Sequence, residues 1–238
     1  MLPTLYSRCM DLKKVGVYAV IDMPLLISTS EAAKPLSYAL LLESLQPYME
    51  LESARKLKKY VERILSGNYT PEEVASWMKD VVISNIFEIL YCLKYVLRVP
   101  IVSERIVERL KTAKVNKLAH FMTATGSLIL AGAFTPEKVE EQIDLIIAEA
   151  NTLYSKEGKT IYLEIADKFR RFKPHVVHFA EVMSKRAVTV EEVFFFITSI
   201  WSSVTELYDE ILDEIISEIA PLRRAVNRFL EEISKRRR

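Results

Sequence analysis

The sequence predicts an all-α protein, a multi-helix bundle of about eight helices around a long central helix at residues 189–219. Three observations carry this. Glycine supplies only 5 of 238 residues and the 9 prolines sit mostly at segment edges, so tight hairpin turns are scarce and helices are favoured over sheets. Helix-start signals recur at Thr70-Pro71-Glu72-Glu73, at Thr135-Pro136-Glu137 and at Thr189 with Glu192, where a capping threonine precedes a proline or a reciprocating glutamate. Apolar residues return at helical spacing through most of the chain.

In chain order, residues 1–30 are the least regular. Val15 to Ile21 is short and rich in β-branched residues, a strand pattern without a partner strand, so helix or extended arm is favoured. Ser28 to Glu31, with Pro35 after it, reads as a helix start. Tyr48 to Leu65 is an amphipathic helix closed by Gly67, and the helix after Thr70 runs through Trp77, Val81, Ile86, Leu90 and Leu93 until Pro100. Ser103 caps the next helix, and small residues such as Ala124 and Gly126 in the apolar run Phe121–Gly132 suit close helix contact. A helix from Thr135 reaches about Gly158, another covers Thr160–Arg171, and Pro174 is expected to kink it or divide it from Val176–Met183.

The long helix then opens with the Thr189/Glu192 capping box. Val193, Ile197, Ile200, Val204, Leu207 and Ile211 form one seam, and Phe194, Trp201, Tyr208 and Ile215 a second row beside it. A stripe this wide needs several covering partners, and its first half, Val193 to Val204, reads as nearly all core. After Pro221, Leu222, Val226, Phe229, Leu230 and Ile233 define a last amphipathic helix. With no Pro/Gly/Ser linker, residues 1–238 read as a single helical domain, the alternative being a two-lobed split near 132–136. Tyr69-Thr-Pro-Glu-Glu-Val74 and Phe134-Thr-Pro-Glu-Lys-Val139 are nearly identical, as a duplicated helical unit or simply two good helix starts would be.

Composition narrows the function classes. A net charge of +1 gives no global attraction to nucleic acid or acidic lipid. Cys9 and Cys92 are too few for a disulfide scaffold, so a reducing cytoplasm is the expected location, with no secretory signal at the N-terminus. The best membrane candidate, Val81–Val102, is interrupted by Glu88, Lys94, Arg98 and Pro100, so no membrane partner is expected. Scarce Gln and Asn with abundant Lys, Arg and Glu resembles the composition of hyperthermophile proteins.

Three stretches could carry chemistry. Arg170-Arg171-Phe172-Lys173-Pro174-His175-Val176-Val177-His178 contains Arg-x4-His (Arg170, His175) and Arg-x6-His (Arg171, His178). It resembles the short signature of HEPN-type ribonucleases, which are metal-independent. The resemblance implies His as general acid or base on the ribose 2′-hydroxyl and Arg on the phosphate charge; the plain alternative is a basic, solvated helix end. His175, His178 and Glu181 share a helical face, yet a metal site would need a fourth ligand, so no metal or other cofactor is expected. Asp209-Glu210-Ile211-Leu212-Asp213-Glu214 resembles the aspartate-rich motif of all-α isoprenoid synthases but lacks a second, facing motif.

Local basic faces form the second class of signal. Arg105, Arg109, Lys111, Lys114 and Lys117 line one helix, and Lys168, Arg170 and Arg171 another. Arg223, Arg224, Arg228, Lys235, Arg236, Arg237 and Arg238 make a basic end to the sequence. If they converge, they would bind a phosphate backbone or an acidic protein. The expectation from sequence is thus a non-catalytic helical binding or assembly protein that contacts nucleic acid through these faces. Its alternatives are a purely protein–protein scaffold or homo-oligomerisation module, which predicts an exposed apolar patch, and the Arg/His ribonuclease.

Overall fold

A computed structural model describes residues 2–96, 115–132, 135–185 and 188–218. The helices are α1 (Leu2–Asp11), α2 (Lys13–Ser28), α3 (Lys34–Leu45), α4 (Glu52–Leu65), α5 (Pro71–Val96), α6 (Asn116–Gly132), α7 (Pro136–Glu157), α8 (Ile161–Lys185) and α9 (Val190–Glu218). No strand occurs among the described residues, and the fold is an all-α multi-helix bundle. The expected caps form. Thr70 and Glu73 exchange backbone-to-side-chain hydrogen bonds of 2.9 and 3.2 Å, as do Thr189 and Glu192 at 3.0 and 3.3 Å. The Thr135 hydroxyl accepts from the Lys138 N–H. Gly67 and Gly158 end α4 and α7 in the left-handed region, with φ of 72° and 67°.

The stretch Val15–Ile21 is the middle of α2, and α2 is enclosed on opposite sides. Val15, Ala19, Met23 and Leu26 pack with α3, α4 and α5, while Val17, Val20, Ile21 and Leu25 pack into the larger cluster that α5 to α9 complete. A segment apolar all round has no polar face to show a helical period, which is why it imitates a strand in sequence. Close approach is secured by glycine: a Cβ on Gly16 would lie 2.7 Å from the ring of Tyr208, and one on Gly126 would lie 2.7 Å from the Val20 carbonyl oxygen. On the third side of α2, the Asp22 Oδ2 is sealed without a hydrogen-bond partner although the residue keeps some exposure, and burial pushes this carboxyl up to about 7.

Two features differ from the sequence expectation. Cys9 and Cys92 are joined in a disulfide that ties α1 to α5 across 83 residues of sequence; helix packing brings together two thiols whose spacing announces nothing. Of the two outcomes expected at Pro174, a kink or a division, the division does not occur: α8 runs unbroken from Ile161 to Lys185. The ring deprives the Arg170 carbonyl of its donor, but both residues are exposed, where water replaces the lost bond.

The last three helices form an antiparallel layer. Lys173 of α8 reaches Glu140 and Asp144 of α7 at 3.0 and 2.9 Å. Between α8 and α9, Lys168 meets both Glu206 and Glu210 at 3.0 Å, Lys159 meets Glu214 at 3.4 Å, and the rings of Phe179 and Phe196 stack with centroids 3.9 Å apart.

Candidate functional site

Along the Phe179–Phe196 stack, α8 and the start of α9 line a groove of about 490 Å3. Phe179, Val182, Phe195 and Phe196 supply its apolar surface, His175 and His178 edge it on α8, and Glu191 and Glu192 edge it on α9. Phe195, which lines it, and Phe194, the residue before, are the two most exposed large apolar residues described, at 72% and 67%. Burying such a ring is worth about 1.5–3 kcal/mol, so an adjacent exposed pair is a feature that folding alone leaves unexplained.

The local cause is the run Phe194-Phe195-Phe196. On a helix successive side chains turn by about 100°, so a one-sided contact can bury only one of three consecutive rings. Phe196 takes that place against Phe179, and its two neighbours point to water. This run is the signal that sequence reasoning passed over, because the seven-residue spacing of Phe194, Trp201 and Tyr208 placed Phe194 in the core. The row holds further along: Tyr208 and Ile215 are fully buried.

Electrostatics set this groove apart. His175, His178 and Glu191 have no ion pair or hydrogen bond from their side chains among the described residues, nor does Arg171, one turn before His175. In contrast, the acidic strip of α9 is spent within the molecule. Asp209 accepts two 2.7 Å bonds from Lys13, Glu206 and Glu210 hold Lys168, and Glu214 holds Lys159. Burial acts to lower the Lys168 ammonium, but the hydrogen bonds of Glu206 and Glu210 outweigh it and hold it above the usual lysine value. Burial pushes the Glu210 carboxyl up despite that bond, and its Oε2 has no partner. The Asp209–Glu214 stretch therefore serves as an ion-pair strip between helices, and no group of three metal-ligating side chains occurs among the described residues.

The Arg/His motif is separated in space. His175 faces the apolar groove, while Arg170 lines a second, shallower groove of about 390 Å3 with Lys173 and Glu140; His178 stands between and borders both. Arg170 is ion-paired with Asp167, and Arg171 borders neither groove. Neither spacing-defined pair, Arg170 with His175 or Arg171 with His178, thus shares a groove. Of the expected phosphate-binding residues, Lys117 is paired with Glu157, Lys168 is buried in its two ion pairs, and Arg171 is exposed. Arg105, Arg109, Lys111, Lys114, Arg223, Arg224, Arg228, Lys235, Arg236, Arg237 and Arg238 lie outside the described residues.

No helix among the described residues is long and apolar enough to cross a membrane. In comparisons with known proteins, the chain matches no protein-family model, no curated protein and no solved structure.

Proposed function

We propose that this chain is a non-catalytic helical binding or assembly protein that works through the aromatic face between α8 and α9. The observation that carries the reading is Phe195, exposed on the lip of an apolar groove with the exposed Phe194 next to it in sequence, while His175, His178 and Glu191 at the edges of that groove are unpaired among the described residues. Exposed aromatic side chains with an apolar hollow between polar edges are the anatomy of a protein-binding patch. The phosphate-contact reading has less support from the described surface, where Lys117, Lys168 and Arg170 already hold carboxylates. The cytoplasm remains the proposed location. The disulfide is unusual there in general, but proteins of hyperthermophiles, whose composition this chain resembles, carry intracellular disulfides.

The test is the native size of the tagged chain in extracts of cells that express it. The expected result is a discrete complex above the 27.4 kDa monomer that disappears in Phe194→Ser/Phe195→Ser. A monomer in both cases, or a complex indifferent to the substitutions, overturns the reading. A complex dissolved by nuclease treatment would transfer the function to phosphate contact.

A further inference from the structure

We infer that the partner received by the α8–α9 face is a second copy of this chain, docked about a two-fold axis that runs through the groove. The inference rests on the proposed role of that face and names its occupant. The face is self-complementary. A two-fold interface places one surface against itself, so that surface must carry both members of every pair it makes. This one does. Its apolar projection, the exposed Phe195, stands on the lip of an apolar hollow floored by Phe179, Val182 and Phe196, and the exposed Phe194 precedes it in sequence.

Its polar groups are divided in the same way. The α8 edge carries His175 and His178, which donate through imidazole N–H groups, and the α9 edge carries the carboxylate of Glu191. A two-fold rotation exchanges the edges, setting the histidines of each copy against Glu191 of the other, while Phe195 of each copy enters the opposing hollow. Glu192 takes no part in this pairing, since it caps the start of its own helix. Within one copy these edges lie on opposite sides of the groove and His175, His178 and Glu191 are unpaired among the described residues, whereas the lysines of the neighbouring surfaces hold acids of their own chain. Complementary hydrogen-bonding groups at the edge of an apolar contact fix partner and register.

The experiment is sedimentation equilibrium of the purified full chain from low- to high-micromolar concentration, with a charge exchange. The wild type is expected to dimerise, and Phe194→Ser/Phe195→Ser to remain monomeric with an unchanged helical spectrum. His175→Glu/His178→Glu places carboxylates on both edges, and Glu191→Lys removes the only acid offered to the histidines. Each variant alone should lose at least tenfold in dimer affinity, and an equimolar mixture should recover it as a heterodimer. Failure of the mixture to recover affinity overturns the two-fold arrangement. A wild type that stays monomeric throughout, while the complex in extracts still depends on Phe194 and Phe195, overturns the second copy alone and leaves the binding face standing. A dimer that survives the serine substitutions overturns both.

Discussion

The two halves of α9 are built from similar residues and placed in opposite environments. From Val204 to Ile215 the helix is locked. Tyr208 is fully buried against Gly16 and donates from its hydroxyl to the Asn85 Oδ1 at 2.7 Å, and Asn85 donates in turn to the Leu12 carbonyl at 2.9 Å. Four carboxylates of the same half hold lysines from α2, from α8 and from the turn that precedes α8. From Phe194 to Ser199 only Phe196 is buried, with Ile197 and Ser199 half-buried; Phe194 and Phe195 face water, and Glu191 is unpaired among the described residues. One half ties its carboxylates to lysines of the same chain, and the other holds out two aromatic rings and Glu191. A helix can thus be scaffold at one end and contact surface at the other, with apolar content no guide to which is which.

The comparison can be broken at several points. The largest expected effect is loss of the Cys9–Cys92 link, which ties α1 to α5. Closing a loop over 83 residues of separation is worth about 4–5 kcal/mol in the chain-entropy account. Cys9→Ser should therefore lower the denaturant midpoint strongly under non-reducing conditions, and wild type in reductant should fall to the same value. Next comes Tyr208→Ala, expected to cost about 3–5 kcal/mol by chemical denaturation, as for a fully buried aromatic. A cost under about 1 kcal/mol would mean the locked half is not locked.

Asp22→Asn tests burial from the other direction. A carboxyl held at about 7 when folded and near 3.9 when unfolded favours the protonated folded state. Its contribution is fully present below pH 4 or so and is lost as pH rises through about 7. The asparagine variant should flatten that decline and exceed wild type at pH 8 by on the order of 2 kcal/mol; parallel pH profiles would contradict it.

Lys168→Met strands Glu206 and the half-buried Glu210. The expected loss is about 1–2 kcal/mol, between the values for exposed and buried ion pairs, read as a shift of the thermal midpoint. The smallest expected effect is the most discriminating. Phe194→Ser/Phe195→Ser should change monomer stability by no more than about 0.5 kcal/mol, while abolishing assembly.

How much of this was legible in the sequence follows from where each cause lies. The caps at Thr70, Thr135 and Thr189 are local hydrogen-bond chemistry within four residues, and they form as read. The seam Ile200, Val204, Leu207 and Ile211 is set by helical period and is buried as read. Partner choice is not local. Nothing near Lys168 announces that it will be buried between two glutamates nearly forty residues on, and its neighbours made it look like part of a basic face. The disulfide is hidden for the same reason, since only packing joins Cys9 to Cys92. Pro174 misleads because a rule for helix interiors is relaxed where the missing bond faces water. The groove itself was half-legible. The motif search found His175 and His178 through their spacing to arginine, whereas their neighbours in space are phenylalanines.

The central claim, that the open half of α9 is where this protein meets its partner, is tested most directly by hydroxyl-radical footprinting read residue by residue. Assembled chain would be compared with chain dispersed by dilution. The account predicts that oxidation of Phe194, Phe195, His175 and His178 falls on assembly. Leu36 and Leu145, both 62% exposed on α3 and α7, should stay as reactive as before. Protection of Leu36 or Leu145 with Phe194 and Phe195 still fully reactive would contradict it.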